Sequence, residues 1–67
     1  MNQKQRYYHI YENVNGSKRT EDVLLTGMEM ASVMAQNLNT NNKGSYSFEE
    51  VDVQEAKRLK KSIEKIQ

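Results

Sequence analysis

The architecture of this chain follows from residues 6–25, RYYHIYENVNGSKRTEDVLL, in which a turn dipeptide separates two alternating segments. Asn15-Gly16 is the strongest short signal for a β-hairpin, because both central residues of a type I′ turn need positive φ. Successive side chains of a strand point to opposite sides, which matches the alternation before and after the dipeptide. The pattern therefore predicts a hairpin over 6–25 with a two-residue loop at its tip.

A two-residue loop also determines which residues face one another across the hairpin. An uninterrupted register places Glu12 opposite Arg19, which is a pair of opposite charges. The same register places His9 opposite Asp22. Such cross-strand pairs stabilise a sheet, so both pairs favour this register.

Alternation along the first strand separates an aliphatic side from an aromatic side. The aliphatic side is the better candidate for burial, and across the hairpin it comprises Tyr8, Ile10, Val14, Val23 and Leu25. The opposite side of the first strand then carries the rings of Tyr7, His9 and Tyr11.

A helix is predicted directly after the hairpin. Thr26 and Glu29 have the spacing of a capping box, in which each side chain binds a free backbone donor of the other residue. Apolar residues then recur every three or four positions as far as Leu38, which is typical of a helix with one buried side. We predict this helix over 26–39, followed by a polar loop.

The rest of the chain predicts one more strand and one more helix. Alternating residues favour a strand over 45–51, and Asp52 then caps a helix over 53–67. The order β-β-α-β-α predicts a single small α+β domain over 1–67, with a three-stranded antiparallel sheet and two helices. The simplest packing places both helices on the aliphatic side of the sheet, but the sequence does not decide whether the second helix instead covers the rings or docks elsewhere.

Composition excludes several classes of chemistry. The chain has no cysteine and one histidine, which excludes a thiol nucleophile, a disulfide, a thiolate zinc site and the two-histidine metal motifs. His9 opposite Asp22 lacks the activated nucleophile or pocket that catalysis requires. We therefore predict no catalytic residue, cofactor, metal or small-molecule substrate. No apolar run approaches the ~18 residues of a membrane span, and the polar start lacks a secretory signal, so we expect a cytoplasmic protein without membrane contact.

Charge is distributed unevenly, although the net charge is only +1 and the mean hydropathy −0.96. Residues 1–19 hold four basic and one acidic side chain, a net charge of +3. Residues 20–53 hold one basic and six acidic side chains, a net charge of −5. Residues 54–67 hold five basic and two acidic side chains, a net charge of +3. Two basic ends around an acidic middle are typical neither of a nucleic-acid coat nor of a DNA mimic.

The ring side of the hairpin is the first candidate functional surface. Tyr7, His9 and Tyr11, together with Lys18, form a candidate protein-binding surface, since aromatic side chains are frequent interface hot spots. In a second interpretation the rings stack on nucleic-acid bases while basic residues contact phosphates. In a third the rings are ordinary strand residues covered by the second helix.

The second candidate surface is a basic stripe on the predicted final helix. Lys57, Lys61 and Lys65 follow one another at four-residue spacing, so their charges repel by ~0.2–0.5 kcal/mol per pair. A stripe of like charges indicates electrostatic attraction to an acidic partner, although a solvated helix face is the plainer interpretation.

A tyrosine-rich hairpin, a capped helix, a third strand and a charged terminal helix are similar in style to short bacterial and phage proteins. The plan also resembles the arm-binding β-sheet modules of recombinases. Those modules generally place three strands before the helix, and this difference weakens the DNA-binding role that the resemblance implies.

The sequence therefore favours a non-enzymatic protein-interaction module, such as a regulator or inhibitor of phage or mobile-element type. Its partner would be another protein or a second copy of itself, since a core this small rarely supplies more than ~3–5 kcal/mol. A nucleic-acid-binding module is the first alternative, and a structural oligomer subunit is the second.

Overall fold

The computed structural model describes the backbone of residues 5–66 and the side chains of residues 5–63. The predicted α+β order is confirmed, with five elements: β1 (Arg6–Val14), β2 (Ser17–Thr26), α1 (Met28–Asn41), β3 (Tyr46–Val51) and α2 (Val53–Ile66). The predicted domain includes residues 1–4 and residue 67, and the predicted basic stripe includes Lys65. These terminal residues and the Lys65 side chain lie outside the described part of the chain.

The three strands form an antiparallel sheet in the order β2-β1-β3, with β1 in the centre. The two helices lie on opposite sides of this sheet, and not on one side as in the simplest packing. Tyr8 and Ile10 pack against Ala31 of α1, whereas Val23 packs against Leu59 of α2 on the other side. The topology explains this arrangement. Because α1 joins the two outer strands it must cross β1 on one side, and the large side chains on the other side of β1 and β2 are left for α2.

The predicted register is correct near the turn and wrong beyond it. Glu12 pairs with Arg19 as expected, but a β-bulge at Glu21 shifts the pairing between Tyr11 and Ile10. His9 therefore lies opposite Val23 and not opposite Asp22. A shift of one residue moves side chains to the other side of a sheet. For this reason the predicted aliphatic side is divided: Tyr8 and Ile10 face α1, Val23 and Leu25 face the side of α2, and Val14 is exposed.

The predicted capping box at the start of α1 is also wrong. Thr26 remains in β2, paired with Arg6, and is not the N-cap residue of the helix. Gly27 is the N-cap residue and forms no side-chain cap bond. The helix therefore begins two residues later than predicted, at Met28.

The start of α2 follows the prediction. Asp52 caps the helix, because its Oδ1 accepts a hydrogen bond of 2.8 Å from the backbone N–H of Glu55. The Glu55 carboxylate does not reach back to Asp52 and instead accepts two hydrogen bonds from Arg58. In the described part of the chain, neither helix has the length and apolarity needed to cross a membrane.

The hairpin tip is confirmed as a turn with two left-handed residues, Asn15 at φ 52° and Gly16 at φ 82°. We expect Gly16→Ala to lower the free energy of unfolding by about 1–2 kcal/mol, because an L-residue is strained in this conformation. A methyl group at Gly16 meets no atom within 4 Å, so the whole cost would come from the backbone. Urea unfolding followed by circular dichroism measures the change. Asn15→Gly is the control and should stay close to the parent protein, and an equal loss in both variants would contradict the explanation.

Candidate functional site

The ring side of β1 is not the open surface that the sequence predicts. His9 is only 4 % exposed, and Tyr7 is half-buried in the cluster formed with Leu59 of α2. Tyr11, beyond the end of this cluster, is also half-buried. His9 therefore cannot contact a partner in this structure, which corrects its place in the predicted protein-binding surface. The physical reason is that α2 covers this side of the sheet, the option that the sequence left open.

His9 is the centre of a polar network that joins all three strands. Its Nδ1 lies 2.9 Å from Oε2 of Glu49, and its Nε2 lies 2.9 Å from Oγ1 of Thr20. An ionised carboxylate only accepts hydrogen bonds, so Nδ1 donates to Glu49 and the Nε2 of a neutral ring accepts from the Thr20 hydroxyl. Both ring nitrogens are thus satisfied, as burial of an imidazole requires.

Lys18 completes the network at its exposed end. Its Nζ donates a hydrogen bond of 2.8 Å to Oε1 of Glu49 and lies 4.9 Å from the centroid of the Tyr11 ring. The hydrogen bonds from Lys18 and, second, from His9 lower the pKa of the Glu49 carboxyl below its ordinary value. The same hydrogen bond raises the pKa of Lys18. Lys18, which the sequence assigns to the candidate protein-binding surface, therefore binds the same carboxylate that contacts His9.

Thr20, His9 and Glu49 form the hydroxyl–imidazole–carboxylate order found in nucleophilic catalysis. Such a site also needs a cavity beside the hydroxyl and donors for a developing oxyanion. Neither Thr20 nor His9 lines the cavity at the end of the sheet or the cavity between α1 and β2. Because the imidazole is buried and both nitrogens are bonded, the arrangement favours a structural role for this network.

An apolar pocket lies at the end of the sheet, beside the first residues of α2. Its volume is about 420 Å³, and we call it the end pocket because of its position. Its apolar lining consists of Tyr7, Leu25, Val51 and Val53. Leu25 is 53 % exposed and Val53 is 51 % exposed, so two aliphatic side chains stand open at its mouth. Of the four residues of the candidate protein-binding surface, Tyr7 lines this pocket.

Charged groups surround the end pocket, and several are already engaged. Arg6 lies 3.8 Å from Glu50 at the rim, and Asp52 caps α2. The ammonium group of Lys60 lies 5.5 Å from the centroid of the Tyr7 ring, within the range of a cation–π contact. The pocket therefore combines an apolar lining with a partly neutralised rim and a lysine close by.

The predicted basic stripe lies on α2, the helix whose first residue, Val53, lines the end pocket. Lys57 and Lys61 are exposed on the outer side of α2, whereas Ala56 and Leu59 are buried on its inner side. These two lysines are therefore exposed to solvent, and their electrostatic role stays a prediction. The third member of the stripe, Lys65, lies outside the described side chains.

Sequence reasoning missed four residues of this region. Glu49 and Thr20 were not predicted as partners of His9, and Leu25 and Val53 were not predicted as an exposed apolar pair. No group of three or more histidine, cysteine or acidic side chains in the described part of the chain is arranged to hold a metal ion. No protein-family model, curated protein or solved structure matches the chain significantly.

Proposed function

We propose that this protein is a non-enzymatic module that binds another protein, and that the end pocket receives an apolar side chain of the partner. The supporting observation is the pair Leu25 and Val53, each more than half exposed at the mouth of an apolar pocket. A single exposed aliphatic residue is ordinary, but a cluster lining a cavity with a charged rim is typical of an interaction site. Interface hot spots have this form, with an anchor in a pocket and a polar surround.

The charge beside the pocket selects an acidic partner segment. Lys57, Lys60 and Lys61 are exposed on the adjoining helix, and together they outnumber the acidic groups at the rim, where Glu50 is paired with Arg6 and Asp52 keeps its charge while it caps α2. Complementary charge chiefly raises the association rate and excludes partners of the wrong sign. The proposed partner segment thus carries an apolar anchor flanked by Asp or Glu.

In this proposal the module acts as a small regulator or inhibitor in the cytoplasm, where a chain without cysteine needs no oxidising compartment. A structural oligomer subunit remains the alternative, and sedimentation over a range of concentrations separates the two. Ring stacking on nucleic acid would have to use Tyr7 and Tyr11 without His9, because the His9 imidazole is buried and bonded at both nitrogens.

Peptide binding by the double variant Leu25→Ser/Val53→Ser tests the proposal. The probes are three short peptides with one central leucine, flanked by aspartates, by asparagines or by lysines. NMR titration of the parent protein should give the tightest binding for the aspartate peptide, with shifts around the end pocket. The double variant should bind it about tenfold more weakly or worse, as expected for the loss of an anchoring contact.

The control is Val33→Ser, which removes a comparably exposed aliphatic side chain, 47 % exposed, from α1. Circular dichroism verifies that all variants fold. Unchanged affinity of the double variant, equal weakening by the control, or tighter binding of the lysine peptide at this pocket would refute the proposal. Salt-dependent binding of a single-stranded oligonucleotide by the parent protein would favour the nucleic-acid alternative instead.

A further inference from the structure

A second cavity lies on the opposite side of the sheet, between α1 and β2. Its volume is about 270 Å³, and we call it the α1–β2 groove. Its lining consists of Ile10, Glu21, Asp22, Met34, Asn37 and Leu38. The groove exists because α1 packs on β1 and β3 and leaves this side of β2 without a helix over it. It reaches the core, since Ile10 in its lining is only 1 % exposed.

The β-bulge gives this groove two adjacent carboxylates. Neighbouring residues of a regular strand face opposite sides, but both Glu21 and Asp22 line the groove at the point where the register shifts. One oxygen of Asp22 accepts a hydrogen bond of 2.8 Å from the backbone N–H of Val23. The ion pairs formed among the described residues include neither carboxylate. Neither of these two carboxylates therefore lies within 4.0 Å of a basic group among the described side chains.

The opposite wall of the groove belongs to α1 and is mainly apolar, with Met34 and Leu38 beside the polar Asn37. Met34 and Leu38 are half-buried in the wall, and Met30, one turn before Met34, is 54 % exposed. Methionine side chains adapt their shape to different partners, which suits a binding surface. The groove therefore offers apolar contact on one side and negative charge on the other.

We propose that the α1–β2 groove binds a segment of a partner protein that carries an apolar side chain next to arginine or lysine. The apolar side chain would lie against Met34 and Leu38, and the cation would lie between Glu21 and Asp22. Charge complementarity selects this occupant, because an acidic segment would be repelled and a neutral one would leave both carboxylates unpaired. The groove is separate from the end pocket, and this inference does not depend on the function proposed for that pocket.

The test uses Glu21→Gln/Asp22→Asn, which removes both charges and keeps the shape and the acceptor for Val23. The probes are short peptides in which one central arginine, glutamine or glutamate is flanked by leucines. In NMR titrations we expect the arginine peptide to bind the parent protein at α1 and β2. The variant should bind this peptide about tenfold more weakly, the loss typical of one charge-assisted hydrogen bond. The glutamine peptide should bind the two proteins equally.

Glu29→Gln is the control, since it removes a negative charge at an exposed position outside both the groove and the end pocket. It should retain most of the affinity for the arginine peptide, and so should Leu25→Ser/Val53→Ser. No shift with the arginine peptide at millimolar concentration, or an equal loss in the control, overturns the proposal. If sedimentation shows self-association that disappears in Glu21→Gln/Asp22→Asn, the occupant is a second copy and the partner proposal also fails.

Discussion

Replacement of Ile10 by alanine is expected to lower the free energy of unfolding by about 2–5 kcal/mol, the usual cost of removing a large buried aliphatic side chain. Ile10 is 1 % exposed, lies on the central strand and packs against Ala31 of α1. A cavity left here cannot collapse easily, because β2 and β3 pair with β1 on both sides. A domain of this size rarely has more than ~3–5 kcal/mol of stability in total. The variant should therefore be largely unfolded at room temperature.

Circular dichroism during urea unfolding measures this effect. Ile10→Val removes one methylene group and should cost only about 0.5–1.5 kcal/mol, which gives a graded series at one position. Val33→Ala is the control, because that side chain is 47 % exposed and its loss should change stability by about 0.5 kcal/mol at most. If Ile10→Ala unfolds at the same urea concentration as the control, Ile10 is not at the centre of the core.

The second large effect is expected for Glu49→Leu, which removes the acceptor for the buried Nδ1–H of His9. An unsatisfied buried donor costs about 1–3 kcal/mol, and this variant also removes the partner of Lys18. The matched control is Glu50→Leu on the same strand, where the lost ion pair with Arg6 is exposed and long at 3.8 Å. Exposed pairs contribute about 0–1 kcal/mol, so the control should remain close to the parent protein. Equal destabilisation by the two leucine variants would show that the buried imidazole does not need Glu49.

The pH dependence of stability tests the same network. Hydrogen bonds from Lys18 and then His9 lower the pKa of Glu49 in the folded protein below its ordinary value of 4.5. The folded state therefore binds fewer protons than the unfolded state in this range, and the contribution of Glu49 is complete above the ordinary pKa. This contribution is lost as the pH falls through the folded-state pKa. The stability difference between the parent protein and Glu49→Gln should shrink on acidification, and a difference that grows would contradict the assignment.

Local signals in the sequence determined the elements of this protein. The Asn15-Gly16 turn, the strand alternation and the Asp52 cap each depend on residues within a few positions of one another. Such interactions act before any distant part of the chain is in place, so the order β-β-α-β-α could be read without a structure. The charged stripe on α2 is local in the same sense, since helical spacing alone aligns Lys57 with Lys61.

Contacts between residues far apart in the sequence decided the strand register, the partners of His9 and the side of the sheet on which each helix lies. The carboxylate that binds His9 belongs to Glu49, which is 40 positions away, and a bulge at Glu21 moved Asp22 out of its predicted pairing. A bulge depends on how the whole sheet packs, and no turn motif announces it. The same holds for the side of the sheet on which each helix lies. That choice depends on the total apolar area buried, and it buried His9 and half-buried Tyr7 and Tyr11 while it left Leu25 and Val53 exposed.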